Sequence, residues 1–166
     1  MLTPFDNMSD ASRLWIYQAN RNISGQEQKD IMIATEQFLR QWAAHGSDLM
    51  ASATIKHDRF LIIATDESFN MASGCSIDSS VHFVQGLGQQ FNIDFFVRTD
   101  LAFLNEQTVE IVPLNALKEA VASGQIGAES RFFDNTVAQK GQLSDQWLKK
   151  ASETWLKRYF KPTLNV

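Results

Sequence analysis

The sequence has a single cysteine, three prolines and no long apolar run, and these scarcities exclude whole classes of protein. One cysteine cannot form an internal disulfide or a four-cysteine metal site, so neither a disulfide-stapled scaffold nor a zinc module is expected. No segment approaches the roughly 18 apolar residues that a membrane helix needs, and the first ten residues lack the pattern of a secretion signal. We therefore predict a soluble, cytoplasmic protein without a transmembrane segment.

The motifs of the common nucleotide-binding and hydrolytic enzymes are also missing. The chain has no G-x-x-x-x-G-K-[ST] phosphate loop, no G-x-G-x-x-G turn, no H-E-x-x-H metal motif and no G-x-S-x-G nucleophile turn. Val81 stands where a C-x5-R phosphatase loop beginning at Cys75 would need arginine. The sequence therefore indicates no particular reaction and no particular cofactor.

Charge is unevenly distributed along the chain. The net charge is −4, yet residues 147–166 hold five basic residues against Glu153, so the rest of the chain sums to −8. An acidic body argues against a general nucleic-acid binder, whose affinity depends on neutralising phosphates. We expect no specific nucleic-acid partner.

The chain has enough apolar residues to build a sizeable core. Of its 166 residues, 44 % are hydrophobic and 11 % aromatic, which fits one compact globular domain. The sequence contains no internal repeat, low-complexity segment or Pro/Gly-rich linker. We predict a single domain over 1–166, with an α+β core at 1–113 and additions at 114–166 packed on it.

The core begins with a strand and a capped helix. Aromatic and β-branched residues predict a strand over 13–19. Ser24 and Glu27 match a capping box, so a helix is expected from Ser24 to about Ala44, with Gly46 as its C′ residue. The inward stripe of this helix comprises Ile31, Thr35, Phe38, Leu39 and Trp42.

A hairpin, a loop and a second helix follow. Alternation over 49–55 and an apolar run over 60–64, joined by a turn at 57–58, predict two antiparallel strands. After a loop over 66–75, a helix to about Gln90 is expected. Its predicted inward residues are Ile77, Val81, Val84 and Phe91. Further strands are expected from Ile93 towards Leu104 and over 108–112.

The resulting order, β-α-β-β-α-β, is the split β-α-β pattern of a ferredoxin-like fold, in which helices cover one face of an antiparallel sheet. The additions are a short helix over 115–123 closed by Gly124, a short strand over 131–133 and a last helix over 144–159. We therefore predict a ferredoxin-like α+β protein with C-terminal helical additions. Its expected sheet edges, at 49–55 and 108–112, are where a homo-oligomer would pair.

Small residues surround the cysteine where the second helix begins. They leave backbone N–H groups open to a small anionic ligand, and the helix dipole favours a thiolate at Cys75. Asp78 and His82 follow Cys75 at +3 and +7, so the three share one helix face. The predicted ligand-binding residues are Ser73, Gly74, Ser76, Asp78 and His82, although such residues also serve as ordinary helix caps.

The ferredoxin-like topology brings other side chains to the same edge of the sheet. His45 follows the first helix, Asp66 ends the third strand and Cys75 opens the second helix. These three are the predicted catalytic residues of an alternative function, a cysteine-dependent enzyme with His45 or His82 as base and Asp66 or Asp78 orienting that base. The competing interpretation is that a lone cysteine is a small buried hydrophobe.

Two further arrangements are open at this edge. A metal could be held by His45, Asp78 and His82, or by Cys75. A surface histidine such as His82 is more commonly solvated or paired with a nearby carboxylate such as Asp78, so no metal ligand is predicted. Arg21 lies at the opposite edge in a ferredoxin-like sheet. In a doubly wound sheet it would lie beside Cys75.

The last helix has an apolar stripe beside several lysines. The stripe comprises Trp147, Leu148, Ala151, Trp155 and Tyr159. We expect it to pack on the protein's own core, the alternative being a partner or membrane surface.

Four segments carry a resemblance that spans nearly the whole chain. They are Leu14–Arg21, Trp42–Gly46, Ser73–Asp78 with Val81-His82-Phe83, and Trp155–Phe160. With these segments the chain resembles a family of short, uncharacterised bacterial proteins, some of them labelled ABC-transporter ATPases. The resemblance implies no reaction, and the missing phosphate loop argues against the ATPase label here. Small-ligand or partner binding is the expected function.

Overall fold

The computed structural model describes residues 1–160 as a mixture of helices and antiparallel sheets, which confirms the α+β class. The chain divides into two compact units. The first comprises Met1–Val97 with Ala138–Gln142, and the second comprises Arg98–Val137 and the chain from Leu143 onward. Lys161, counted above in the basic C-terminal charge, lies outside the described residues. The single domain stays a prediction.

The first unit is built on a three-stranded antiparallel sheet with two long helices. Its elements are β1 (Arg13–Gln18), α1 (Gly25–Gln41), β2 (Ala43–Ala44), β3 (Ser47–Asp48), β4 (Met50–Lys56), β5 (Phe60–Asp66) and α2 (Gly74–Phe91). The strand order is β1-β5-β4, and the two short strands β2 and β3 pair separately. Because β1 and β4 both run antiparallel to β5, they are parallel to each other on either side of it.

The central strand explains the continuous apolar run of the sequence. Every residue from Phe60 to Thr65 is buried, so both faces of β5 are covered. The preceding turn has His57 and Asp58 at φ +54° and +56°, the left-handed pair of a type I′ turn, and the Arg59 N–H donates to the Lys56 carbonyl. The predicted hairpin and its turn are confirmed.

Helix α1 begins as predicted and ends earlier. The Ser24 hydroxyl accepts the Glu27 N–H while the Glu27 carboxylate accepts the Ser24 N–H, which confirms the capping box. The helix stops at Gln41 because Trp42 adopts an extended conformation and its indole N–H donates to the Ser76 carbonyl. Gly46 is therefore not a helix cap. It occupies the β2–β3 turn at φ +76°, next to His45 at +52°.

Helix α2 buries Val84 as predicted, but the rest of its buried face differs from the predicted one. Its buried residues are Ser76, Ser80, Val84 and Leu87, whereas Ile77, Val81 and Phe91 are only half-buried. Small serines allow close packing, and their polar atoms are satisfied because the Ser80 hydroxyl donates to the Ile77 carbonyl and the Ser76 hydroxyl to the Ser73 carbonyl. A pattern based on apolar residues alone misses such a face.

The strand predicted to open at Ile93 was wrong over 93–97. Asn92 ends α2 in a left-handed conformation, and no residue of 93–97 belongs to a strand. Side chains satisfy this backbone, since the Asp94 N–H donates to the Asn20 side chain and the Phe96 N–H to the Asp94 carboxylate. The strand forms later, as β6 (Asp100–Asn105) in the second unit.

The ferredoxin-like assignment is therefore not confirmed. The order of β1, β5 and β4 is that of a split β-α-β unit, but no fourth strand of this sheet lies within residues 1–97. Other segments of the same unit cover the sheet edges. Ala51 exchanges backbone hydrogen bonds with Met1 and Thr3 beside β4, and Leu14 donates to the Ala138 carbonyl beside β1.

The second unit has a four-stranded antiparallel sheet in the order β7-β6-β8-β9. Its elements after β6 are β7 (Thr108–Pro113), α3 (Leu117–Ala122), β8 (Arg131–Phe133) and β9 (Leu148–Lys150). The strands near 108 and 131 and the short helix are confirmed. The core of the unit comprises Leu101, Phe103, Val112, Leu117, Ala120, Ile126, Phe132, Ala151 and Leu156.

The helix predicted over 144–159 was wrong. The segment instead contains β9 and two 3-10 turns, Ala151–Glu153 and Trp155–Phe160. The N–H groups of Ala151 and Ser152 donate to the carbonyls of Ser130 and Ala128, so they are not available for helical bonds. Tertiary pairing thus overrides helix propensity here. Within residues 1–160, no helix is long and apolar enough to cross a membrane.

Candidate functional site

The backbone at the start of α2 is largely occupied by the protein's own groups. The Ser73 hydroxyl accepts the Ser76 N–H at 3.1 Å, and the Ser76 hydroxyl accepts the Ser73 N–H at 2.6 Å. The Glu67 carboxylate accepts the Ala72 N–H at 2.9 Å. Because a carboxylate already lies beside this helix end, a second anion would meet repulsion there. The small anionic ligand stays a prediction.

The face of α2 that carries Cys75, Asp78 and His82 points to solvent, whereas Ser76, another predicted ligand residue, is buried. Cys75, Asp78 and His82 are all exposed, as is Gly74. Cys75 is therefore not the buried hydrophobe of the competing interpretation. Among the described residues, no hydrogen bond or ion pair joins Cys75 to either histidine, and no group of three His, Cys, Asp or Glu side chains could hold a metal ion.

The predicted catalytic residues lie on elements that meet at one edge of the first unit. His45 is exposed in the β2–β3 turn, and Asp66 ends β5 opposite Met50. The Asp66 carboxylate accepts the Ser68 hydroxyl at 2.7 Å and the Ser68 N–H at 3.0 Å, which holds the pKa of Asp66 below its usual value. This carboxylate is thus engaged locally, and within residues 1–160 no hydrogen bond or ion pair joins it to His45 or His82.

Arg21 lies at the opposite end of α2, as the antiparallel topology predicts. Its guanidinium donates to the Phe91 carbonyl at 2.6 Å, whereas Cys75 lies in the first turn of the same helix. At about 1.5 Å per residue, the helix separates the two by roughly 24 Å. The doubly wound arrangement is excluded, because β1 and β5 are antiparallel.

Sequence reasoning missed the most unusual surface feature of this edge. We call residues 67–73 the display loop, because it presents Phe69 and Met71 to solvent with 82 % and 66 % of their surfaces exposed. Isolated exposed apolar residues are common on proteins, but two large ones two positions apart on one loop are not. The signal was available in the sequence as Phe-x-Met within a polar segment.

The display loop is held in place at both ends and in the middle. The Asn70 side-chain amide donates to the carbonyls of Ser47 at 2.9 Å, Ala44 at 3.2 Å and Asp48 at 3.4 Å, which fixes the loop to the β2–β3 hairpin. The contacts of Asp66 with Ser68 anchor its start, and that of Glu67 with Ala72 anchors its end. Phe69 and Met71 flank the anchored asparagine.

A surface cavity of about 610 Å³ lies at the other end of α2, lined by Gln85, Gly88, Gln89, Asn92, Asp94 and Phe96 among others. None of the predicted ligand-binding residues lines it. The cavity therefore gives no support to the site predicted at the start of α2.

Comparison of the chain with protein-family models, curated proteins and solved structures gives no match. The family resemblance stays a prediction.

Proposed function

We propose that this protein binds another protein through the display loop, with Phe69 and Met71 as the anchoring side chains. The observation that carries the proposal is the 82 % exposure of Phe69 on a loop fixed by the three hydrogen bonds of Asn70. Fully burying a side chain of this size contributes about 1.5–3 kcal/mol of favourable free energy, and the exposed Phe69 side chain does not gain it in the free protein. Binding to a partner that buries Phe69 would gain this free energy.

The fixed backbone of the loop strengthens this proposal. A flexible loop loses conformational entropy when it is ordered by a partner, and that loss subtracts from affinity. Here the Asp66, Glu67 and Asn70 side chains already supply the ordering contacts. Aromatic anchors on preorganised backbone are typical of residues that dominate binding energy.

The cysteine-dependent enzyme is the less supported function. Cys75 is accessible, but among the described residues it lacks the hydrogen-bonded base that activates a thiol nucleophile. We also propose that the protein is cytoplasmic and that its first unit is a ferredoxin-like fold reduced to three strands. The sequence pattern supports the location, and the order of β1, β5 and β4 supports the fold.

Site-specific photo-crosslinking in cells tests the proposal. A benzophenone amino acid replaces Phe69 in one variant and Ile33 in a matched control, because Ile33 is another exposed apolar residue, 58 % accessible, on α1. We expect a discrete adduct of higher mass from position 69 and none from position 33. The proposal fails if position 69 gives no adduct or if both positions give the same one.

A further inference from the structure

Carboxylates lie on the display loop and on the segments that adjoin it. The segments that adjoin it are the start of β1, the β2–β3 hairpin, the end of β5 and the first residues of α2. These segments and the loop carry four carboxylates and a single guanidinium, that of Arg13. We call the four carboxylates, those of Asp48, Asp66, Glu67 and Asp78, the acidic collar. Arg13 lies 3.8 Å from the Glu67 carboxylate and stacks over Trp15, so its charge is already shared within the protein.

We infer that the partner is a protein with an apolar recess rimmed by lysine or arginine, into which Phe69 and Met71 insert. This inference rests on the proposed function and adds the chemistry of the partner. Like charges across an interface cost several kcal/mol, whereas opposite charges speed association and select the partner. An acidic collar around an apolar anchor therefore matches a basic rim around an apolar pocket.

Two other occupants fit the observations less well. An interface with a second copy of the same surface would bring two acidic collars together, and like charges across an interface repel. An anionic membrane surface attracts basic segments and repels carboxylates.

Asp48 and Asp78 offer a clean test of the charge component. Both are exposed, and neither carboxylate forms a hydrogen bond or ion pair within residues 1–160. The double variant Asp48→Asn, Asp78→Asn should therefore leave the loop intact. Asp66 and Glu67 are unsuitable, because their carboxylates hold the loop backbone.

The experiment uses cyclodextrins as defined recesses of chosen rim charge. The chain has 12 phenylalanines, so 4-fluorophenylalanine is placed at position 69 alone and its ¹⁹F signal is followed. The titrants are amino-β-cyclodextrin, neutral β-cyclodextrin and sulfated β-cyclodextrin. We expect the cationic host to bind about fivefold more tightly than the neutral host, the ratio for one effective attractive charge pair near 4 Å in water, and the anionic host to bind more weakly than the neutral host. The ratio of cationic to neutral host should fall in the Asp48→Asn, Asp78→Asn variant, which keeps Asp66 and Glu67, and should approach one in 1 M salt.

Each outcome decides between the inference and the proposed function. If no host shifts the ¹⁹F signal, Phe69 is not an available anchor and the proposed function fails as well. If all hosts bind equally, or the anionic host binds best, the inference of a basic rim on the partner is wrong, while the proposal that Phe69 is an anchor is retained. Selective broadening of the signal by phosphatidylcholine vesicles would assign the loop to lipid. A concentration-dependent dimer that Phe69→Ala abolishes would assign it to a second copy. Either assignment overturns the inference.

Discussion

The guanidinium of Arg21 holds the Glu27 carboxylate through two parallel hydrogen bonds of 2.9 and 2.8 Å, and the same guanidinium donates to the last carbonyls of α2. Glu27 also accepts the Ser24 N–H as the N3 residue of the capping box of α1. One side chain thus joins the N-terminal end of one helix to the C-terminal end of the other. A cation at a helix C-terminus and an anion at a helix N-terminus each match the helix dipole.

Replacing Arg21 should loosen this junction. We expect Arg21→Ala to lower the free energy of unfolding by about 0.5–1 kcal/mol, the usual effect of a charge at a helix end. Arg21→Lys should recover only part of the loss, because an ammonium cannot form the two parallel bonds. Urea unfolding of the three proteins measures the effect, and equal midpoints would contradict it.

The ion pair between Arg21 and Glu27 should make the stability of the fold depend on pH. The Arg21 hydrogen bonds, with help from the Ser24 N–H, lower the pKa of Glu27 from 4.5 to about 2. A lowered folded-state pKa means that this stabilisation is complete above pH 4.5 and is lost as the pH falls from 4.5 towards 2. Glu27→Gln should therefore flatten the fall in stability across that window. Glu36→Gln, on the same helix and in no ion pair within residues 1–160, should leave the slope unchanged.

Two glycines of α2 should respond to alanine with opposite signs. A Cβ atom at Gly88 would lie 2.5 Å from the Ile93 carbonyl oxygen, a backbone atom, whereas one at Gly86 would meet open space. We expect Gly88→Ala to destabilise the protein by about 1–3 kcal/mol through overpacking. Gly86→Ala should stabilise it by up to about 1 kcal/mol, because alanine favours the helix. Thermal unfolding of both variants measures these effects. Equal shifts in Tm would contradict the close approach of the Ile93 carbonyl oxygen to Gly88.

Variants of Asn70 and Phe69 should show that one residue orders the display loop and that the other contributes little to the stability of the fold. Asn70→Ala removes three hydrogen bonds and should speed amide hydrogen exchange over 67–73. Phe69→Ala removes an exposed side chain and should change the unfolding free energy by less than about 0.5 kcal/mol. Unchanged exchange in Asn70→Ala would show that other contacts order the loop.

The sequence predicted elements whose local signals agree with their packing. The capping box of Ser24, the apolar run over 60–64 and the turn at His57-Asp58 each combine a local preference with burial, and all three were confirmed. The predicted helix over 144–159 had the right periodicity, but strand pairing of β9 with β8 decided its structure. Such pairing depends on residues distant in sequence, which a local pattern does not contain.

The candidate site was predicted only in part. Topology placed Arg21 away from Cys75 correctly, because the antiparallel pairing of β1 with β5 fixes which ends of α2 and β1 lie together. The anchors of the display loop were missed because Phe69 and Met71 lie in the predicted loop over 66–75, where no periodic pattern shows whether a side chain is buried or exposed. Their exposure depends on Asn70 binding the β2–β3 hairpin, a contact across more than 20 residues.

The central claim is that Phe69 anchors a partner protein. The most direct test measures how tightly the partner identified by crosslinking binds the Phe69→Ala variant and the Ile33→Ala variant. Truncating an aromatic anchor typically costs at least 2 kcal/mol, so we expect Phe69→Ala to bind about 30-fold more weakly or worse. Ile33→Ala, which removes a comparably exposed side chain outside the loop, should bind within about twofold of the unmodified protein. Equal affinities of the two variants would contradict the account.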